Sequence, residues 1–206
     1  MSTQKTLSFT KEMGHHDRSI KIDMLGLPFS NYKNCTSCKL YRSRTIAVFG
    51  RGDVDAKIMI IGEGPGLYED IKGMPFVGKS GQLLNNLLSD VGLTENDVYI
   101  TNMVMCHPPE NRNPEKEEIE ACWPRLKKQI FIIQPSVILA AGAVSAQSLL
   151  CTKEPISKLR GTIHDLNGIP VIPSFHPAYV LRNGNEATDK LIDDLMLAIK
   201  TCDNGW

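Results

Sequence analysis

The sequence predicts an α/β fold, a three-layer α/β/α sandwich built around a mostly parallel sheet. From Lys57 onward, short apolar runs alternate with amphipathic helical patterns, which is the order expected of βαβ units. Apolar amino acids make up 42% of the 206 residues, enough for the buried core of one fairly large domain. We therefore expect a single domain at residues 26–206, preceded by a polar extension at residues 1–25.

The elements follow one another along the chain with recognisable boundaries. Strands are expected at residues 57–61, 98–102 and 136–141, and helices at 80–91, 143–150 and 186–201. Asn113-Pro114 precedes four glutamates in seven residues, which predicts a helix start, with the helix running towards residue 133 and a kink at Pro124. Asn167-Gly168 predicts a hairpin turn. In such a sheet, the ligand site lies beyond the carboxyl ends of the strands.

Composition limits the classes of function. Lys plus Arg and Asp plus Glu both number 23, so a polyanionic partner would need a local basic patch rather than a general positive field. No apolar run reaches the length of a membrane helix, and the amino-terminal segment lacks the apolar stretch of a signal peptide. We expect a cytoplasmic monomer that does not bind membranes, with reduced cysteines.

Four of the six cysteines have the spacing of metal ligands. Cys35 and Cys38 form a C-x-x-C pair, and Cys106 and Cys122 follow far downstream. On spacing alone, a structural zinc site is as well supported as an iron–sulfur cluster, and a redox dithiol is a further alternative. The other two, Cys151 and Cys202, are expected to be ordinary thiols.

A glycine-rich segment follows the first predicted strand. Residues 62–66 read GEGPG, which puts flexible backbone where a ligand would approach, although a tight turn explains the same string. Downstream, residues 73–80 match the P-loop pattern of nucleotide hydrolases. A P-loop must follow directly on a buried strand, and residues 69–72 are not one, so this interpretation is disfavoured. Lys79 and Ser80 at a helix start suit a nucleic-acid phosphate instead.

Two polar residues end predicted strands. Asn102 either caps a turn or presents an amide to a base, since its acceptor and donor match the N3 donor and O4 acceptor of uracil and mismatch cytosine. His176 lies between Phe175 and Pro177, a position poorly suited to the core. The aromatic ring of Phe76 either belongs to the hydrophobic core or stacks on a base.

Three segments together resemble the iron–sulfur uracil-DNA glycosylases of family 4. They are GEGPGLYED with GMPFVGKSGQLL at 62–84, VYITN at 98–102 and VIPSFHPAYVLR at 171–182, with the four cysteines in order. The resemblance implies the fold of that superfamily and an enzyme of base excision repair. Such an enzyme binds uracil-containing DNA, single- or double-stranded, and hydrolyses the N-glycosidic bond to leave an abasic site. A catalytically silent binder of damaged DNA is the alternative.

The same resemblance implies roles for individual residues. Asn102 reads the base, Phe76 stacks on it, and His176 stabilises the departing uracil. The resemblance does not identify the residue that positions water, and our hypothesis is that Glu69, with Glu63 as the alternative, positions it or excludes the methyl group of thymine. The substrate loop contains Gly62, Glu63 and Gly64. Tyr179 or Leu181 fills the gap left by the extruded base, and Arg182 lies near phosphate. A 4Fe-4S cluster is implied on the four cysteines, Cys35, Cys38, Cys106 and Cys122.

Overall fold

The computed structural model describes residues 17–204, apart from the side chains of residues 27–31. Within that range, the chain forms one six-stranded sheet with the strand order β1-β3-β2-β4-β6-β5. The strands are β1 (Arg51–Gly52), β2 (Ile58–Gly62), β3 (Val98–Asn102), β4 (Val137–Ala141), β5 (His164–Leu166) and β6 (Ile169–Ser174). The four central strands are parallel, and the two edge strands pair antiparallel to their neighbours. The predicted mostly parallel sheet is confirmed.

Helices cover both faces of the sheet. In the described part of the chain they are α1 (Arg18–Tyr32), α2 (Leu67–Lys72), α3 (Lys79–Asp90), α4 (Lys116–Ile133), α5 (Ala143–Leu149), α6 (Ile156–Leu159), α7 (Pro177–Asn183) and α8 (Asn185–Asn204). Helices α3, α7 and α8 pack on one face, and α4, α5 and α6 on the other. None of the helices within residues 17–204 is long and apolar enough to cross a membrane.

The strands are apolar along their whole length because both faces of the sheet are covered. In β2, Ile58 and Ile60 enter the core under α3 and α8, whereas Met59 and Ile61 enter the core under α4 and α5. All four side chains are 3% exposed or less. The two cores on opposite faces make the predicted three-layer sandwich, and they hold the carboxyl ends of the strands in fixed relative positions.

Two predicted boundaries differ from the structure. The helix after Asn113 begins at Lys116, because Glu115 caps it and exchanges side-chain and backbone hydrogen bonds with Glu118. The helix continues through Pro124. No helix was predicted directly after β6, where the chain forms α7 from Pro177. The hairpin turn at 167–168 is present and joins β5 to β6.

The predicted extension is partly helical. Its residues 1–16 lie outside the described residues, and the expected boundary at residue 25 falls inside α1. That helix lies on α4, where the buried Lys21 donates hydrogen bonds to the carbonyls of Ile133 at 3.2 Å and Val54 at 3.3 Å. The sequence of α1 carries no apolar stripe that would have marked it as a packed helix.

Candidate active site

A cavity of about 370 Å³ opens at the carboxyl ends of β2, β3 and β6. This volume is within the roughly 300–1,000 Å³ range of small-molecule sites. Most of the side chains predicted from the sequence line it, namely Glu63, Gly64, Glu69, Phe76, Ser80, Asn102, His176, Tyr179 and Arg182. Three predicted residues, Gly62, Lys79 and Leu181, lie beside the cavity lining rather than in it.

Phe76 is held in the cavity by an unusual backbone conformation. Its φ angle of 54° lies in the left-handed region, which is costly for a bulky residue. The ring is 4% exposed, and its centroid lies 5.8 Å from that of His176. A Cβ added to Gly62 would lie 2.6 Å from the Phe76 ring and 2.4 Å from Asn102 Oδ1. Glycine is therefore required at position 62 for the ring and the amide to meet.

Asn102 ends β3 with its amide inside the protein. The side chain is 2% exposed, and Oδ1 has no hydrogen-bond partner among the described residues. A buried acceptor left unpaired costs about 1–3 kcal/mol, so a ligand or water that donates to this oxygen would recover that cost. The predicted reading amide is thus a free acceptor in the cavity.

His176 is a neutral hydrogen-bond donor. It caps the amino end of α7, where its Nδ1 accepts from the backbone N–H of Ala178 at 3.1 Å. The single proton of the neutral ring therefore lies on Nε2. Burial, and secondly the charge of Arg182, lowers the pKa of His176 to about 4, although Glu69 opposes this shift. Near neutral pH the imidazole is uncharged and donates through Nε2.

Glu69 binds backbone amides as well as lining the cavity. Its Oε1 accepts from the N–H groups of Val77 at 2.9 Å and Gly78 at 2.8 Å, and the side chain is 8% exposed. The sequence did not predict these contacts. Glu63, the other carboxylate of the cavity, is partly buried, and burial raises its pKa. Glu69 thus ties the loop that carries Phe76 to helix α2.

The same contacts rule out a P-loop at 73–80. This segment follows helix α2 rather than a strand, and Gly73 ends that helix in a left-handed conformation. The amides of residues 77 and 78, which a P-loop would turn towards phosphate, already bind the Glu69 carboxylate. The segment serves to position Phe76 and to start α3.

The rim of the cavity carries the residues predicted to contact nucleic acid. Tyr179 is 40% exposed, with its ring 4.8 Å from that of Phe175, and Leu181 on the same helix is 50% exposed. Arg182 is exposed beside them, and Lys79 begins α3 on another side of the cavity. Two exposed apolar side chains and two cations are therefore in, or next in sequence to, the residues that line the opening.

The loop after β3 contributes residues that sequence reasoning missed. Asn111, Arg112 and Asn113 line the cavity. Glu110 and Asn111 are both left-handed, with φ angles of 58° and 54°, and Asn111 Oδ1 lies 3.0 Å from His107 Nε2. Consecutive left-handed residues other than glycine indicate strain of the kind that clusters at functional sites. In the sequence, the asparagines at 111 and 113 are the feature that could have indicated this part of the site.

The four spaced cysteines surround a second, smaller cavity away from the first. Cys35, Cys38, Cys106 and Cys122 all line it, together with Arg44 and Arg125. The Arg44 guanidinium donates to Cys106 Sγ at 3.2 Å, and Arg125 to Cys35 Sγ at 2.8 Å. These thiols are the residues that could hold a metal centre. Within residues 17–204, no three Cys, His, Asp or Glu side chains are grouped as one metal ion requires.

Comparison with known proteins identifies the class. The model of the "Uracil DNA glycosylase superfamily" matches residues 49–199. The "Type-4 uracil-DNA glycosylase" of Thermotoga maritima is 44% identical over 176 residues, which cover 84% of this chain and 92% of that protein. The protein of that name from Saccharolobus solfataricus is 44% identical over 79% of each chain. That from Archaeoglobus fulgidus is 40% identical over 72% of this chain and 78% of its own.

The chain belongs to the uracil-DNA glycosylase superfamily, whose family model spans its sheet from the first strand to the last helix. Within the superfamily, the relatives at 40–44% identity carry the type-4 name. The resemblance predicted from the three motifs is thereby confirmed.

Proposed function

We propose that this protein is a DNA repair enzyme that extrudes uracil from DNA and hydrolyses its N-glycosidic bond, leaving an abasic site. One observation carries the proposal: the unpartnered Oδ1 of Asn102 shares a cavity with the Phe76 ring and a neutral His176. An acceptor, an aromatic face and a donor are the three groups that a flipped pyrimidine requires.

Asn102 selects the base. The N3–H of uracil donates to Oδ1, and O4 accepts from the amide nitrogen of the same side chain. Cytosine presents an acceptor at N3 and a donor at C4, so both contacts become repulsive. Because the Oδ1 acceptor is buried, water cannot relieve the mismatch, and the amide rejects cytosine as long as it keeps this orientation. Phe76 stacks on the ring and holds it in the plane of the amide.

His176 stabilises the leaving group. As the bond between N1 and C1′ breaks, electrons pass to the base, negative charge grows on O2, and the sugar acquires oxocarbenium character. The Nε2–H of His176 donates to O2. A donor already in place and desolvated stabilises this charge without reorganisation, which is why burial of the imidazole favours the reaction.

A water molecule must then attack C1′ and lose a proton. Glu69 is the residue we assign to position it, through Oε2, since Oε1 binds the amides of residues 77 and 78. Oε2 lies on the Gly66 side, 2.8 Å from where a Gly66 Cβ would be. The same carboxylate crowds the region that the methyl group of thymine would enter. Glu63 is the alternative base.

DNA lies across the rim, with uracil entering the cavity. Lys79 and Ser80 at the amino end of α3, and Arg182 on α7, bind phosphates near the extruded nucleotide. Leu181 or Tyr179 fills the gap left in the stack. We expect the protein to act as a monomer on single- and double-stranded DNA.

The four cysteines hold a 4Fe-4S cluster in this proposal. A zinc ion would draw its thiolates to about 2.3 Å from one point, whereas a cluster spreads them over several irons. The cysteines line one cavity, where two arginines would offset the negative charge of their thiolates, and the resemblance to family 4 favours the cluster over zinc. The cluster would supply a cross-link between the segment that follows α1, the loop after β3 and α4. Thiolate ligation favours a reducing compartment, and we place the protein in the cytoplasm.

The deciding experiment incubates the protein with single- and double-stranded oligonucleotides that contain one uracil, without ATP or magnesium. We expect strand scission after alkali at the uracil position, and none in oligonucleotides with thymine or cytosine there. Tight binding to uracil-containing DNA without alkali-labile product would instead identify a silent damage binder and overturn the proposal. Product formed only with ATP and magnesium would also contradict it.

A further inference from the structure

We propose that Arg51, on edge strand β1 and outside the cavity, is a positioning residue for Phe76. The inference rests on the proposed stacking of Phe76 on uracil. It concerns how the protein keeps that ring in a backbone conformation that phenylalanine rarely adopts.

Arg51 contacts the backbone of the loop that carries Phe76. Its Nε donates to the carbonyl of Pro75 at 2.9 Å, and one terminal nitrogen lies 3.5 Å from the carbonyl of Phe76. The guanidinium also donates to Asn85 Oδ1 on α3 at 2.8 Å and pairs with Glu95. The side chain is 12% exposed, so these contacts are little screened by water. Arg51 therefore fixes two successive carbonyls relative to the sheet and α3.

Glu69 fixes the other side of the same loop. Its carboxylate accepts from the next two backbone amides, those of Val77 and Gly78. Four consecutive backbone groups, the carbonyls of 75 and 76 and the amides of 77 and 78, are thus bound by one cation and one anion. Helix α3 packs closely against the same loop, since a Cβ on Gly81 would lie 1.9 Å from the Phe76 carbonyl oxygen.

The arrangement explains how the strain at Phe76 persists. A left-handed phenylalanine relaxes to negative φ unless its surroundings determine its backbone, and such relaxation would swing the ring out of the cavity. The carbonyls of residues 75 and 76 would have to rotate in that change. Because Arg51 binds both, it stabilises the stacking conformation before uracil arrives, which lowers the cost of binding the base.

The test substitutes Arg51→Met, which keeps most of the length of the side chain and removes its donors. Stacking stabilises bound uracil and the transition state alike, so we expect KM for a uracil-containing oligonucleotide and the inhibition constant of free uracil to rise together by about tenfold, with kcat changed little. Arg51→Lys retains one donor and the charge, and is expected to recover part of the loss. If the Met variant does not fold, the same two constants are measured for Arg51→Lys, and a smaller rise in both is expected.

Glu95→Gln is the matched control, since it removes the ion pair to Arg51 and leaves the loop contacts intact. It should leave the uracil inhibition constant unchanged. In a Phe76→Ala background, Arg51→Met should shift that constant by less than about twofold, because the ring through which Arg51 acts is gone.

The outcomes separate this inference from the function it rests on. If Arg51→Met lowers the melting temperature but leaves uracil inhibition unchanged, while Phe76→Ala weakens it, Arg51 is merely structural and the inference fails. If Phe76→Ala itself leaves uracil inhibition unchanged, the stacking role of Phe76 fails first. Equal effects of Arg51→Met with and without Phe76 would also overturn it.

Discussion

At the scale of single residues, three features that are costly in the free protein lie together in the site. Asn102 buries an unpaired acceptor, His176 is buried without its charge, and Phe76 occupies a left-handed conformation. Each feature weakens the free protein, and each becomes favourable once a pyrimidine is present. Substituting these residues should therefore separate stability from activity.

Asn102→Ala tests this separation. We expect excision of uracil to slow by about 10²-fold or more, because the contacts to N3 and O4 are lost. The free energy of unfolding should change by less than about 1 kcal/mol, since the removal of an unsatisfied acceptor offsets the small cavity created. Single-turnover kinetics and urea titration measure the two quantities. A loss of stability of several kcal/mol would show that the amide has a structural role.

His176 should make stability depend on pH. Its pKa is about 4 in the folded state against about 6.5 in the unfolded chain, so the unfolded state binds a proton first as the pH falls. Stability is therefore lost between pH 6.5 and 4, by roughly 2 kcal/mol between pH 7 and 4.5. His176→Asn should lack this part of the loss. Urea unfolding at both pH values checks the difference, and parallel curves for the two proteins would refute it.

At the scale of elements, the site is built where strand ends meet helix starts. Helices α3 and α7 both begin at the cavity. The proposed phosphate contacts are Lys79 and Ser80 in the first turn of α3 and Arg182 in the last turn of α7. The glutamate of α2 and the loop after β3 close the remaining sides. In the proposed mechanism, function is thus divided: strand ends and their loops read the base, and helices α3 and α7 contact the backbone of the nucleic acid.

Leu181 on α7 tests this division. If its half-exposed side chain fills the gap left by the extruded base, Leu181→Ala should slow excision from duplex DNA by about tenfold. Single-stranded DNA has no opposing stack to support, so its excision should change little. Met196→Ala removes a similarly exposed side chain from α8 and serves as the control. A similar slowing on both substrates would argue against a wedge.

The cysteines should connect the amino-terminal helix to the domain. Cys38→Ser is expected to abolish visible absorption near 400 nm and to lower the melting temperature by at least about 5 °C, because the cross-link among distant segments is lost. Cys151→Ser, at an exposed position away from the cluster cavity, should alter neither. Zinc in place of iron would leave the protein colourless, which metal analysis would confirm.

At the scale of the whole molecule, balanced charge restricts how DNA is bound. With 23 basic and 23 acidic residues, the protein has no overall attraction for a polyanion, and the phosphate contacts that we propose are confined to the rim. Affinity then depends mainly on the extruded base in the cavity. Such a protein should discriminate damaged from undamaged DNA well and bind the latter weakly.

This charge balance predicts a weak dependence on salt. If Lys79, Arg182 and the start of α3 neutralise two or three phosphates, the slope of log K against log salt should be about −2 to −3. Fluorescence anisotropy with a uracil-containing oligonucleotide, at several salt concentrations, measures the slope. Removing Arg182 should reduce its magnitude by about 1. A slope near −6 would require a basic surface beyond the rim.

The larger elements were predictable because they are encoded locally. Strand β3 occupies the predicted residues 98–102, and α3, α5 and α8 lie within a few residues of expectation. The two-residue strand β1 and the short helices α2 and α6 were not predicted, because they are too short for a periodic pattern to emerge. The start of α4 was predicted wrongly. Asn113 has the local propensity of a helix cap, but Glu115 caps the helix instead because it forms a capping box with Glu118.

The site was predictable as a set of residues, but not as a chemical arrangement. Motifs in the chain already contain Phe76, Asn102 and His176, together with the parallel sheet whose strand ends bring them to one edge. The proton on Nε2, the unpaired Oδ1 and the contacts of Arg51 exist only in the folded protein. Desolvation and hydrogen bonding depend on which groups pack together across long stretches of chain, and local sequence does not encode that packing.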